Sequence, residues 1–191
     1  MGQHRNILKR LRTIVLDHAS DDHPDLAAMA RDLGCVVHRD AATLAHALAS
    51  LRQRGQGFEY RKLTSRARPA LSVVIKALPP NYTTPAHHLA VLWGLEMSLV
   101  GALEVQACER DPATGDLRAS GRHWLGPGDT VWFDADHGRT HRCRNLSRRE
   151  TALSLHVHGA ELQPTPSSGR RSPADHWVAA PTRPSIATRT G

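Results

Sequence analysis

Histidines are the residues of this sequence with the most chemistry to offer. There are 13 of them among the 191 residues, and several lie close together in the middle of the chain. An imidazole ring can bind a divalent metal, exchange a proton near neutral pH and form hydrogen bonds from either nitrogen. Three groups stand out, His87 with His88, His137 with His141, and His156 with His158. We interpret the other histidines as solvated or core residues.

The third group belongs to a segment with strand periodicity. In Ser154-Leu155-His156-Val157-His158 polar and apolar residues alternate. Successive side chains of a strand point to opposite faces, so Ser154, His156 and His158 share one face. A polar row inside a barrel is costly unless it is hydrogen-bonded or functional. A solvated outer face is the alternative, and the histidine of the preceding predicted strand favours the interior.

The second group lies where a turn leads into a strand. From Gly138 to Asn145 the sequence has the pattern G-x-x-H-x-x-x-N, with His141 as its histidine. This pattern resembles the later of the two cupin signatures, in which the histidine points into a β-barrel. The turn Gly126-Pro127-Gly128-Asp129 before Thr130–Phe133 is typical of the strand that precedes it.

The middle of the chain, 58–162, is predicted to be mainly β. Short segments rich in β-branched residues are separated by turn signals, with no helical pattern between them. Such spacing is typical of an antiparallel sandwich or barrel. The predicted strands after Phe58 are Leu71–Leu78, Ala86–Trp93, Met97–Cys108, Thr130–Phe133, His141–Asn145 and Thr151–His158. The resemblance of the pattern around His141 to a cupin signature further implies a cupin fold, a double-stranded β-helix or jelly-roll barrel, for this part of the chain.

The N-terminal segment, 1–57, is predicted to form α-helices that pack on the barrel. Apolar residues recur at helical spacing in three stretches. The first stretch ends near Ser20. The second begins near Pro24 and is expected to stop at Gly34, because glycine often follows a last helical turn. The third runs from about Ala41 to Arg54, and none of the three carries a cluster of polar residues.

Composition limits the partners and the location. The formal net charge is +7, but the basic residues are spread along the chain and aromatic residues make up only 4% of it. A basic stripe with interleaved aromatics is therefore missing, and we expect no nucleic-acid partner. No apolar run reaches the length of about 18 residues that a membrane span needs. The basic start is not followed by a continuous apolar stretch, which favours a cytoplasmic protein.

The three cysteines are predicted to be reduced thiols. Cys35, Cys108 and Cys143 form no short-spaced pair.

The last segment, 163–191, has a different composition. It is rich in proline, serine and arginine and has few apolar residues to bury. Such a composition is typical of disorder. Only His176-Trp177-Val178 is expected to dock locally.

The stretch from Arg61 to Ala160 resembles the thiol dioxygenases, the cysteine and 3-mercaptopropionate dioxygenase family of cupins. The matching motifs occur in the family's order. They are Arg61-Lys62-Leu63, Thr84-Pro85-Ala86-His87, Gly94 with Gly101, His141–Asn145 and Ser154–Gly159. The resemblance implies an Fe(II) oxidoreductase that adds dioxygen to a small carboxylate-bearing thiol to give a sulfinate.

The resemblance also implies roles for side chains other than metal ligands. Arg61 would bind the carboxylate of the substrate as a bidentate pair. Ser154 and His156 would form an outer hydrogen-bond relay. The family ends this relay in tyrosine, whereas this chain has His158, which can act as an acid or a base near neutral pH.

The metal ligands depart from the family pattern. The family has H-x-H, whereas this chain has His87-His88-Leu89, and a regular strand would turn His88 away from His87. A β-bulge would turn His88 inward, and we predict His87, His88 and His141 as the ligands. The alternatives for the third ligand are Glu96, His158 and His137. With Gly94 at the family's cysteine position, the thioether crosslink of the animal enzymes cannot form.

Two other functions are compatible with the same residues. One is a cupin enzyme with another divalent metal and a different reaction. The other is a metal-free cupin that binds a small molecule, in a pocket that Leu89 makes more apolar. A fold does not by itself settle the function.

Overall fold

The structure of the chain is a computed structural model with helices at the N-terminus and strands after them. The residues that it describes are 2–20, 23–53, 59–86, 93–134, 140–160, 162–163 and 178–179. All statements below about contacts and partners concern these residues.

The helices form a layer at the N-terminal end of the chain. They are α1 (Gly2–His18), α2 (Leu26–Arg39), α3 (Ala41–Ala47) and α4 (Ala49–Gln53). Asp25 begins α2 as its N-cap, because its carboxylate accepts a hydrogen bond from the Ala28 N–H at 2.9 Å. The stretch predicted as one helix from Ala41 is divided at Leu48. None of the described helices is long and apolar enough to cross a membrane.

The predicted end of the second helix at Gly34 was wrong, because α2 continues to Arg39. Gly34 serves close packing instead. A Cβ atom at Gly34 would lie 3.2 Å from the carbonyl oxygen of Gly128, in the turn before a strand. His38, one helical turn later, donates a hydrogen bond from Nδ1 to the Gly34 carbonyl at 2.8 Å. A larger residue at position 34 would therefore push the helix away from this turn.

The strands form two larger sheets and a short pair. The strands are β1 (Glu59–Ala67), β2 (Ala70–Leu78), β3 (Trp93–Val100), β4 (Leu103–Arg110), β5 (Leu117–Leu125), β6 (Thr130–Asp134), β7 (Thr140–Asn145), β8 (Ala152–His158), β9 (Leu162–Gln163) and β10 (Val178–Ala179). The large sheet has the order β1-β2-β8-β3-β6, and the small sheet has the order β5-β4-β7. Every pairing is antiparallel.

The two faces of the large sheet have different partners. Ile75, Leu95 and Leu155 belong to an apolar cluster that also contains buried residues of the helices. Burying a leucine or isoleucine of this kind contributes on the order of 2 kcal/mol. On the other face, Leu78 of β2 shares a second cluster with Leu103 of the small sheet. The helices therefore cover the outer face, and the two sheets enclose an interior between them.

The arrangement confirms the predicted fold class, which is mainly β with a cupin barrel and packed N-terminal helices. Two strand predictions need correction. The stretch predicted as one strand, Met97–Cys108, contains the turn between β3 and β4, where Gly101 has φ +84°. This backbone conformation is open to glycine and strained for other residues. The strands β1 and β5 were not predicted because most of their residues are polar or exposed.

The predicted C-terminal tail lies mostly outside the described residues. β10 pairs antiparallel with β9, with Val178 opposite Gln163. Val178 is the last residue of the predicted docking segment, and His176 and Trp177 lie outside the described residues.

Candidate functional site

Polar side chains lie on the inner face of the large sheet. Strand pairing places His156 of β8 opposite Glu96 of β3, and Ser154 opposite Ser98 of β3 and Lys76 of β2. All five side chains belong to residues with an exposed fraction of 6% or less. The row that contains Ser154 and His156 therefore faces the barrel interior and not solvent.

Glu96 is the centre of a buried cluster that joins the two sheets. His141 of β7 contacts its Oε1 through Nε2 at 2.7 Å. The Nδ1 atom of His156 lies 3.0 Å from the same oxygen, at ion-pair distance although outside hydrogen-bond geometry. On the other side of that ring, Nε2 lies 2.8 Å from the hydroxyl of Ser154. We call Ser154, His156, Glu96 and His141 the Glu96 cluster.

The charges within the cluster follow from burial and proximity. Burial acts to raise the pKa of Glu96, but attraction to His141 and His156 outweighs it, and the pKa lies well below its ordinary value. Burial, with the nearby charge of Lys76, lowers the pKa of His156 to about 4. At neutral pH Glu96 is therefore an anion and His156 is neutral. An anion beside Nδ1 favours the tautomer with its proton there, so Nε2 accepts the hydrogen bond from Ser154.

His158 is buried beside the cluster without joining it. It has an exposed fraction of 0%, and neither ring nitrogen has a hydrogen-bond partner among the described residues. Its ring centroid lies 6.0 Å from that of His156. Burial lowers the pKa of His158 well below its ordinary value, so the ring is neutral. The polar contacts of His156 are thus with Ser154 and Glu96. An acid or base role for His158 stays a prediction.

Lys76 and Cys143 lie near the cluster. Burial lowers the pKa of Lys76, and the negative charge of Glu96 opposes this shift. Burial raises the pKa of the Cys143 thiol, and Glu96 adds to the shift. Cys143 is therefore a protonated thiol at neutral pH, which makes it a poor nucleophile.

An aromatic ring closes the space beside His141. The ring centroids of Phe133 and His141 lie 5.5 Å apart at an angle of 46°. Phe133 lies opposite Gly94 in the strand pairing, and a Cβ atom at Gly94 would lie 2.2 Å from Phe133 Cζ. Gly94 therefore makes room for this ring.

The predicted residues are only partly within the described part of the chain. His87, His88 and His137 lie outside it, so their roles as metal ligands stay predictions. His141, the remaining predicted ligand, is buried in the interior. Arg61 is exposed and lies opposite Ile75, a residue of the cluster shared with the helices. The structure therefore does not bring Arg61 together with the Glu96 cluster, and its role in binding substrate stays a prediction.

Two buried charges of the interior go beyond the predicted site residues. The sequence predicts Glu96 only as an alternative metal ligand and Lys76 only as part of a strand. Each is the single charged residue of its strand. A charge in such a strand must be paired or solvated when the strand is buried. This signal was available in the sequence, although only the tertiary structure shows which groups are the partners.

The donors near Glu96 have the chemistry of an iron site, although they are arranged as hydrogen-bond partners. Two imidazoles and a carboxylate are typical ligands of non-haem Fe(II). Glu96 Oε2 is a buried oxygen without a hydrogen-bond partner among the described residues, and a cation would satisfy it. Within the described ranges, no three side chains are placed to hold one metal ion. A complete site would therefore depend on ligands from outside these ranges.

Comparison with known proteins finds cupin structures at low similarity. No protein-family model matches the chain. The chain is similar to the cupin domain of Schizosaccharomyces pombe Cnp3, with 13% identity over 54% of this chain and 61% of that one and a TM-score of 0.43. It is similar to a cupin superfamily protein from Desulfitobacterium hafniense, with 12% identity over 54% and 77% and a TM-score of 0.40. It is also similar to an oxalate oxidase, with 17% identity over 54% and 51% and a TM-score of 0.40.

Proposed function

We propose that this chain is a cupin oxidoreductase that adds dioxygen to a small carboxylate-bearing thiol. The reaction is balanced without a further reductant, because RSH and O₂ together give RSO₂H, with both oxygen atoms on sulfur. The observation that carries the proposal is the buried contact of 2.8 Å between Ser154 Oγ and His156 Nε2. It joins the two residues to which the family resemblance assigns the outer relay, on the interior face of the barrel.

The proposed cofactor is Fe(II), with His87, His88 and His141 as its ligands. When bound, ferrous iron would supply the redox chemistry by which a thiol and dioxygen react. The donor chemistry near His141 fits such an ion. Glu96 lies against the nitrogen of His141 and fixes the orientation of its ring, as an outer carboxylate does for many metal-binding histidines.

Ser154 and His156 are the proposed outer hydrogen-bond relay. His156 is neutral at neutral pH because burial and Lys76 lower its pKa to about 4, so its role in the relay is that of a hydrogen-bond acceptor and not of the base for the thiol. Its Nε2 accepts the hydrogen bond from the Ser154 hydroxyl. Glu96 orients the ring from the other side, since its Oε1 lies 3.0 Å from Nδ1.

The test is metal content followed by oxygen uptake. Protein purified without chelator is analysed for bound metals and then assayed with cysteine and 3-mercaptopropionate. We expect iron near stoichiometry and uptake of one O₂ for each thiol that becomes a sulfinate. His141→Ala should lose the iron. His123→Ala is the matched control, because His123 is an exposed residue of β5. Iron without uptake of oxygen by any thiol would contradict the proposal.

A second candidate is a metal-free cupin that binds a small anionic or neutral molecule. The observation that favours it is that Glu96 Oε1 lies 2.7 Å from His141 Nε2 and 3.0 Å from His156 Nδ1, so these side chains are held together without a metal ion. In this case the protein would hold no iron, zinc, manganese or nickel after reconstitution. His141→Ala would then leave the metal content unchanged at zero, which distinguishes the two candidates.

A further inference from the structure

We propose that the outer face of the small sheet holds a binding site for a small, doubly charged oxyanion. The site is a concave surface of about 250 Å³ and lies outside the barrel interior. It is lined by Thr83, Glu104, Gln106, Arg122, Arg142 and Arg144. This proposal is independent of the proposed function, because no residue of the Glu96 cluster lines the site.

Strand alternation explains why these residues share a surface. Glu104 lies opposite Arg144, and Gln106 lies opposite Arg142, in the pairing of β4 with β7. Arg122 of β5 lies opposite Gln106 on its other side. The next residues in sequence point to the other face of the sheet, where Cys143 is buried. The three arginines therefore converge on one outer face.

The charges of this face favour an anion. The lining contains three guanidinium groups and one carboxylate, so its net charge is positive. Glu104 lies 3.5 Å from Arg122 Nε and so holds that side chain over the sheet. Arg144 is exposed, and it lines the site. Its planar fork of donors is suited to bidentate contact with a carboxylate or a phosphate.

Gln106 fixes the position of Arg142 at the site. The residue is 4% exposed, and its Oε1 accepts a hydrogen bond from Arg142 Nε at 2.5 Å. The guanidinium group of Arg142 is therefore held at the outer face that Arg122 and Arg144 also line.

The size of the site favours a small ion and not a long polymer. A volume of about 250 Å³ lies below the range of about 300–1,000 Å³ that is usual for drug-sized ligands. Phosphate and short dicarboxylates share the required chemistry, which is two negative charges on oxygen atoms. The proposed ligand is therefore a small oxyanion with two negative charges. Separate titrations with a phosphate and with a dicarboxylate show which of the two binds.

The experiment is calorimetric titration of the full chain with inorganic phosphate and, separately, with succinate, at low ionic strength. We expect saturable binding of at least one probe, and the tighter of the two identifies the source. Arg144→Gln and Arg122→Gln should each weaken binding about tenfold or more, because a hydrogen bond to a charged group is lost. Arg148→Gln is the control and should leave affinity unchanged, since Arg148 is an exposed arginine that does not line the site.

Two results would overturn the proposal. One is the absence of saturable binding for both probes. The other is equal weakening by Arg144→Gln and Arg148→Gln, which would mean that the ions respond only to net charge. Far-ultraviolet circular dichroism of each variant checks that its fold is retained. If heparin binds but neither small ion does, the face is a docking surface for a polyanion and the oxyanion site does not exist.

Discussion

Glu96 Oε1 lies 2.7 Å from His141 Nε2, and this contact joins the inner faces of the two sheets. Both groups are buried, with exposed fractions of 2% and 5%. A buried carboxylate is tolerated when its charge is balanced by nearby donors and cations. His141, His156 and Lys76 provide that balance, so the interior is an interdependent set of charges.

The first prediction concerns the charge of Glu96. Glu96→Gln keeps the shape of the side chain but removes its charge, which leaves Lys76 without its compensating carboxylate. We expect the free energy of unfolding in urea to fall by about 3 kcal/mol, as for other broken buried pairs. Adding Lys76→Met should recover part of the loss, because the uncompensated cation is then removed.

The control for this prediction is Glu150→Gln. Glu150 forms a surface pair with Arg52 at 3.4 Å, and its side chain is 73% exposed. Such a pair contributes about 0–1 kcal/mol. Equal losses for Glu96→Gln and Glu150→Gln would show that the interior charges are not coupled.

The second prediction concerns the pH dependence of stability. The pKa of His156 is lowered to about 4 in the folded protein, whereas an unfolded histidine titrates near 6.5. Between these values the unfolded chain binds more protons, so stability is retained above pH 6.5 and falls as the pH decreases toward 4. The shift corresponds to on the order of 3 kcal/mol, and the lowered pKa of His158 acts in the same direction.

Urea unfolding of metal-free protein between pH 7.5 and 4.5 measures this effect. His156→Gln should reduce the pH slope, because one histidine no longer differs between the two states. His123→Gln, at an exposed position, should leave the slope unchanged. A slope in His156→Gln equal to that of the wild type would refute the assignment.

The third prediction concerns the packing of Gly94 against Phe133. Gly94→Ala places a methyl group where the ring now lies, 2.2 Å from Cζ, and the ring must move. We expect a loss of about 1–3 kcal/mol in the free energy of unfolding, typical of an overpacked interior. Gly121→Ala is the matched control in a strand, because its added Cβ would meet Ala107 Cβ at an ordinary 3.9 Å.

A double variant shows whether the ring is the cause. If Phe133 blocks the new methyl group, Gly94→Ala should cost much less in a Phe133→Ala background than in the wild type. If the losses in the free energy of unfolding for Gly94→Ala and Phe133→Ala simply add, the ring of Phe133 is not the cause of the strain.

The fourth prediction concerns the substrate carboxylate. Directly opposed residues of paired strands share a face, and Lys62 lies opposite Val74 whereas Arg61 lies opposite Ile75. Val74 is also paired with His156, so Lys62 is on the same side as the Glu96 cluster. In the oxygen-uptake assay we expect Lys62→Gln to raise KM about tenfold and Arg61→Gln to change it little. A larger rise in KM for Arg61→Gln than for Lys62→Gln would support the role that the family resemblance implies for Arg61.

The strand register decides which residue of β1 shares a face with the Glu96 cluster. A shift of one residue in register moves a side chain to the other face of the sheet. The pairing of β1 with β2 contains an irregularity between Lys62 and Thr64, and a local motif does not reveal it. The same limit applies to β5, whose polar and exposed residues give no alternation to read.

The sequence by itself determined the fold class, the β character of the middle of the chain and the shared face of Ser154 and His156. These features depend on local periodicity and turn residues, which act over a few positions along the chain. Only the tertiary structure decided that this face points inward and that Glu96 lies between His156 and His141. The two histidines come from different sheets, and their meeting depends on strand order and register. The sequence therefore specified which groups could do chemistry, and the packing of the two sheets decided which of them act together.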